Sequence, residues 1–486
     1  LMISVGVLAG IVGTFTAWFV VRYSFTGSSW LQWALLMPLA IPGYVGAYAL
    51  VDLLEYAGPV QSTLRGVFGW SSSQDYWFPE IRSFGAAVFV LSLALYPYVY
   101  LLTRVAFRDQ ASSVEEVARS LGASSYKRLF IINLPLARPA IAAGVAIVMM
   151  ETVNDFGTVD YFAVQTLTTG IFSVWLQSSN VGGAAQLACV VLAMIILLVS
   201  LEKLSRRKMQ FFNMSSKHNK VTKIKLKGFS NLLAFSCCFV PVLLGFALPL
   251  IVLAEHSMSN PKLFLDRALI DATWNTVFTG TIAAAVTVVL SIFMVFGMKS
   301  IKGRLPKITM PITTIGYAVP GAVLGVGILI PLAALDNGLA DAIYYITQID
   351  IGLIFTGTSF AIILAYIVRF FAIGQGATEA ALGRISPNLE HAARSLGKSR
   401  TSVLNRIHLP IIKGSLGSAM LLVFVDCVKE LPATLLLRPF NFNTLSTRVH
   451  EQASLEDLVN AAPAAIYISL VGLCAVVLLA KANKLD

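Results

Sequence analysis

Glu115-Glu116-Val117-Ala118-Arg119-Ser120-Leu121-Gly122 recurs 275 positions later as Glu390-His391-Ala392-Ala393-Arg394-Ser395-Leu396-Gly397. The echo runs on through Ser124 and Ser399, Leu129 and Leu404, and Ile132 and Ile407, to Leu134-Pro135 and Leu409-Pro410. Eleven of the 21 positions from 115 to 135 are identical to their counterparts from 390 to 410. Farther upstream, Ile41-Pro42-Gly43-Tyr44 is echoed by Val319-Pro320-Gly321-Ala322 at a slightly different offset. The chain is therefore built twice from one plan, and what flanks the two loops decides the fold.

What flanks them is hydrocarbon. Of 486 residues, 57% are apolar and only 13% charged, with a mean hydropathy of +0.76. That excludes an ordinary soluble enzyme and a disordered or disulfide-stapled chain. About 20 apolar residues cross a bilayer. Nine stretches of that kind hold no charge: 1–21, 31–51, 83–103, 183–201, 228–254, 272–298, 308–335, 351–368 and 458–480. Two more, near 139–158 and 414–437, begin apolar and then meet carboxylates, so eleven spans are expected. The run at Leu1 has no basic flank and reads as a span, not a signal peptide. The five cysteines all lie in apolar stretches without zinc-type spacing and read as core residues.

Basic residues favour the cytoplasmic side of short loops. Of 36 Lys and Arg, 29 fall in one alternating set of loops: Arg22, 104–138, 203–227, 299–307, 369–413 and the tail. That set is expected inside, which puts the C-terminus in the cytoplasm. The net charge of +11 then suits anionic lipid, not nucleic acid. Both repeated loops lie on the basic side. The repeats are thus parallel, and each complete copy needs an even number of spans. The second copy has six. The first shows five, so a twelfth helix ahead of Leu1 is expected. The division reads as a first unit over 1–203, a basic linker over 204–227 and a second unit over 228–486.

The loop has its own logic. Val114, Val117, Ala118 and Leu121 share one helix face. Gly122 can stop the helix at positive φ, Ser124 or Ser125 can cap the next one, and Pro135 and Pro410 should end that second helix. Small Ala118 and Ala393 should allow close approach by a partner. Gly397-Lys398-Ser399 ends like a phosphate-binding loop, but the Gly required five positions before Gly397 is Ala392, so no nucleotide or other cofactor is expected on this chain.

The two interrupted spans match as well: Glu151 pairs with Asp426, and Asp155 with Glu430. Each pair is spaced i, i+4 on one helix face. At 1.5 Å per residue, Glu151 stands roughly 18 Å in from Pro139, past mid-bilayer. A charge there costs about 2.5–3.5 kcal/mol on insertion scales, so such acids usually face a cavity or a partner. Two readings stay open. The acids form an oxygen-rich path for a hard cation, or they are structural, with Lys429 neutralising one of them. Tyr96, Tyr161 and Tyr317 carry phenol oxygens that could also meet a metal cation, but they read first as packing or interfacial aromatics.

At Glu-x-x-Ala-x-x-x-Gly followed by Ile132-Asn133-Leu134-Pro135 and Ile407-His408-Leu409-Pro410, the sequence resembles binding-protein-dependent ABC transporter permeases. That resemblance implies an all-α polytopic fold of two parallel type I (MetI-like) units fused in one chain. It implies that the loop is a coupling helix docking on a separate ATP-binding subunit, itself a homodimer, through Glu115, Ala118 and Gly122, and through Glu390, Ala393 and Gly397. Asp155-Phe-Gly-Thr-Val-Asp-Tyr-Phe162 and Lys429-Glu-Leu-Pro-Ala-Thr-Leu-Leu-Leu-Arg-Pro439 look like the two halves of fused ferric iron permeases. This implies a multi-pass bacterial inner-membrane protein, not itself an enzyme, that takes Fe3+ from a periplasmic substrate-binding protein along Glu151, Asp155, Asp426 and Glu430. The same architecture in relatives for thiamine or phosphonates, an ion-gradient secondary transporter, and a channel or receptor remain alternatives.

Overall fold

The computed structural model describes residues 1–110, 117–118, 120–122, 124–207, 223–301, 303–350 and 352–482. Glu115 and most of the basic linker lie outside the described residues. Among the described residues, ten helices are long and apolar enough to cross a membrane. One bent pair, Ser28–Ala40 with Gly43–Phe68 turned through 93°, brings the number to eleven. These match the eleven expected stretches one for one.

The bend has a local cause. Pro42 cannot donate to a helical ladder and holds an extended ψ of 145°, so the helix breaks and restarts at Gly43. The second copy breaks the same way: Pro320 has ψ 143° and the helix Gly321–Thr347 starts behind it. That helix runs twelve residues beyond the expected end at 335. Asp336 looks like an exit signal in the sequence, yet it is fully buried. Its carboxylate accepts from the N–H groups of Ile354, Phe355 and Thr356 and from Thr356 Oγ1 at 2.7–3.2 Å, folding the following hairpin back on the helix. The next span consequently lies at Phe360–Gly383, not at 351–368.

Pro135 and Pro410 do not end a helix, contrary to the sequence expectation. Arg128–Asn154 and Arg400–Lys429 are each continuous. The chain reaches each Leu-Pro through a π turn, Arg128–Asn133 and Leu404–His408. A third π turn, Leu243–Ala247, precedes Leu248-Pro249. A proline in a helix lacks its own N–H and clashes with the carbonyl four residues back. Stepping the ladder to i→i+5 for one turn moves that carbonyl aside, and the helix survives.

The chain packs as two compact units, which do not follow the repeat. One unit comprises Leu1–Gly170, Ala193–Pro261 and Gln452–Asp486; the other comprises Ile171–Leu192 and Lys262–Glu451. In the first, helices Met2–Arg22, Phe84–Asp109 and Leu134–Asn154 pack closely on one another. A Cβ at Gly13 would stand 2.8 Å from Tyr96 O and Tyr100 N, so only glycine permits that approach. Tyr48, Tyr96 and Tyr100 are fully buried in this unit. Its short parallel ladder joins Tyr23–Ser24 to Ile224–Lys225. In the second unit, Ala283, Ala284, Ala361 and Ala365 line a core closed by Tyr366, Phe370 and Val423.

Candidate functional site

The repeated loop is best described in its second copy. A short helix, Pro387–Ser395, begins at Ser386, whose Oγ accepts from Asn388 N at 3.4 Å. Gly397 ends the turn at φ +78°, and Ser399 Oγ accepts from Ser402 N at 3.3 Å to start the next helix. In the first copy Gly122 has φ +77° and Ser124 Oγ accepts from Lys127 N at 3.4 Å. Of the two candidate caps, Ser124 and Ser125, it is Ser124 that acts. Among the described residues, nothing stands within 4 Å of a Cβ at either glycine. The glycines serve backbone sign, not close approach.

The exposed face differs from the expected one. Ala118 and Ala393 are only 8% and 6% exposed, while Leu121 and Leu396 stand 81% and 78% exposed. Within the chain, the two small side chains are therefore buried and not on the open face. Leu121 and Leu396, with Val117 and Leu389, are large apolar side chains that the two loops leave exposed. Glu390 lies within electrostatic reach of His408.

The matched acids separate into two kinds. Asp155 is the residue at which Leu134–Asn154 ends, and its carboxylate starts the next short helix, Gly157–Tyr161. It accepts from Thr158 N at 2.9 Å, Thr158 Oγ1 at 2.9 Å and Val159 N at 3.2 Å. Glu430 does the same work at the end of Leu409–Lys429, accepting from Ala433 N at 3.0 Å at the start of Pro432–Leu437. Each acid also lies against the glycine of a Pro-Gly break. A Cβ at Gly43 would stand 3.5 Å from Asp155 Oδ2, and one at Gly321 would collide with Glu430 Oε1. Asp155 and Glu430 thus tie the end of each acidic span to the short helix that follows it, with the glycine of the broken helix packed close by.

Glu151 and Asp426, one turn earlier, are part-buried. Asp426 lies within electrostatic reach of Lys429 and Arg369. Arg369 Nε stands 3.2 Å from Glu430 Oε2, and Arg369 Nη1 donates to Val319 O at 3.1 Å, just before the break. By its count of basic loops the sequence placed Arg369 in a loop; it is a buried helix residue. The only cue was a cation following directly on an apolar stretch. The second copy therefore sets two cations beside two acids. At the positions equivalent to Lys429 and Arg369, the first copy has Asn154 and Ala94 beside Glu151 and Asp155. Within each unit, among the described residues, no three His, Cys, Asp or Glu side chains converge as a metal-binding group. Tyr161 packs edge-on to Tyr48 at 4.5 Å, as a packing aromatic does.

Known proteins place this architecture. Over 99% of the chain and 88% of the relative, it is 26% identical to the Fe(3+)-transport system permease protein of Haemophilus influenzae. A ferric transport system permease protein of Actinobacillus pleuropneumoniae is 24% identical over 83% of the chain, which spans 58% of that relative's length. The molybdenum transport system permease protein of Escherichia coli is 28% identical over 40% of the chain and 86% of its own length. The family model of binding-protein-dependent transport system inner membrane components matches residues 6–211 and again 294–484. The duplicated loop, the eleven apolar stretches and this double match together establish that the chain belongs to the family of binding-protein-dependent transport system inner membrane components.

Proposed function

We propose that this chain is the translocation subunit of an ATP-driven importer, moving ferric iron from a periplasmic binding protein to the cytoplasm. The observation that carries the reading is the duplicated loop: a positive-φ glycine, a serine cap and an exposed leucine, twice, on the side of the chain richest in Lys and Arg. Two such loops suit a separate dimeric ATP-binding subunit, whose closure would move both at once. The basic side is the cytoplasm in this reading, and the C-terminus ends there.

The cargo is read from the ferric relatives and from charge. Glu151 and Asp155 in the first copy favour a cation and repel an oxyanion. Molybdate is the competing reading, since the molybdenum permease matches one half of the chain at 28% identity. Alternating access follows: closure of the motor opens the path outward, the binding protein releases its cargo into it, and ATP hydrolysis resets the path inward. Asp155 and Glu430 start the short helices that follow the two acidic spans. Proteoliposomes carrying this chain, its ATP-binding subunit and its binding protein should take up ⁵⁵Fe(III) only with ATP, undiminished by excess molybdate or thiamine. Uptake without ATP, or molybdate uptake in place of iron, would overturn the reading.

A further inference from the structure

A coupling loop is useful only if its displacement reaches the membrane helices, and the first unit shows what both ends of its loop are tied to. Gln110 is where helix Phe84–Asp109 stops and the loop begins. Asn133 is the last residue of the π turn through which the chain leaves the loop. Arg22, the final residue of helix Met2–Arg22, reaches both. Its Nη2 donates to Gln110 Oε1 at 2.9 Å and to Asn133 Oδ1 at 3.3 Å. Gln110 Nε2 closes the triangle by donating to Asn133 O at 3.0 Å. Arg22 and Asn133 are buried.

We propose that Arg22 is a positioning residue for transport: it makes the entry and exit of the first loop move as one body with the first helix. Three features of the triangle support this. One nitrogen, Nη2, carries both bonds, and its two N–H groups lie fixed in the guanidinium plane, whereas those of an ammonium rotate. The triangle joins residues 88 and 111 positions apart in sequence, so it ties three separate helices and not one local turn. It also sits on a π turn, whose extra residue lets a helix absorb a step in register without breaking.

The second unit carries a related tie. Lys299, in the last turn of helix Arg267–Ser300, donates from Nζ to Leu382 O at 3.1 Å, near the end of helix Phe360–Gly383. His408 stands where Asn133 stands in the first copy, buried at the end of its own π turn, with the Phe296 ring 5.8 Å away. In each copy a cation at the end of one helix holds the end of the helix that enters the loop.

The inference rests on the proposed ATP-driven importer, and the test separates the two. Wild type, Arg22→Gln, Arg22→Lys and Gln110→Ala are reconstituted with the ATP-binding subunit and a binding protein loaded with ⁵⁵Fe(III). ATP hydrolysis and iron moved per ATP are both measured, at equal amounts of assembled complex. Arg22→Gln should keep hydrolysing ATP while iron moved per ATP falls roughly fivefold or more, the low end of a coupling free energy between sites. Arg22→Lys should recover much of the ratio, and Gln110→Ala should lose part of it. A merely structural arginine would lower hydrolysis and uptake in proportion; that result, or an unchanged ratio, overturns the inference. If Arg22→Gln does not assemble, Gln110→Ala decides by the same ratio. A wild-type complex that moves no iron on ATP overturns the proposed function instead.

Discussion

Removing one partner of the Arg369–Glu430 pair should cost far more than removing both. The two side chains are 8% and 5% exposed, with Arg369 Nε 3.2 Å from Glu430 Oε2. At that separation and an effective dielectric near 20, the attraction is about 5 kcal/mol, set against the desolvation of both ions. Arg369→Met leaves a buried carboxylate held by Ala433 N; Glu430→Met leaves a buried guanidinium bonded to Val319 O. Each single change should destabilise by about 3–5 kcal/mol. The double change to Met/Met removes both charges and should cost far less than the sum, giving a coupling energy of at least about 2 kcal/mol. The assay is an SDS titration of the purified protein in mixed micelles, followed by tryptophan fluorescence, for wild type, both singles and the double. Singles that add to within about 0.5 kcal/mol would refute the claim that these two groups neutralise each other.

Three further outcomes follow from the same geometry. Gly122→Ala and Gly397→Ala force a Cβ into left-handed backbone at φ +77° and +78°, costing about 1–2 kcal/mol each and lowering loading-stimulated ATP hydrolysis; Asn at either position should do less harm. Glu151→Gln should reduce iron uptake more than Asp426→Asn, because Lys429 and Arg369 already offset the second acid; equal losses in a ⁵⁵Fe assay would contradict the charge asymmetry. Burial pushes His450 down to about 4, with Glu451 opposing and Arg438 adding to the shift. The folded state therefore resists the proton that the unfolded state accepts near pH 6.5. Stability should fall as pH drops from about 6.5 to about 4, by up to about 3 kcal/mol, and His450→Gln should remove that part of the slope.

The sequence made the membrane plan readable because hydrocarbon length and the positions of Lys and Arg act over whole stretches. It also made the loop punctuation readable, because positive φ at Gly122 and Gly397 and the serine caps are decided within a few residues. Other features depended on contacts that local rules do not see. Pro135 and Pro410 read as stops, but one π turn accommodates each. Asp336 read as the way out of the membrane, but the hairpin N–H groups satisfy it inside the fold. Ala118 and Ala393 read as partner-facing, because a helix wheel gives a face without saying which side the chain itself covers. Asp155 and Glu430 read as path acids. Their place three residues ahead of Thr158 and Ala433 was a capping signal, overlooked because their repeat symmetry with Glu151 and Asp426 drew the stronger inference. The Arg22–Gln110–Asn133 triangle had no sequence cue, since its members stand 88 and 111 positions apart.

The account stands or falls on the two repeated loops meeting one motor on one side of the membrane. Cysteines placed at Leu121 and Leu396, both largely exposed in the chain alone, can be crosslinked in inside-out and right-side-out vesicles containing the whole complex. Both should react with the ATP-binding subunit, and both should be labelled only from the cytoplasmic side. Labelling of the two cysteines from opposite sides, or no crosslink from either to that subunit, would contradict the account.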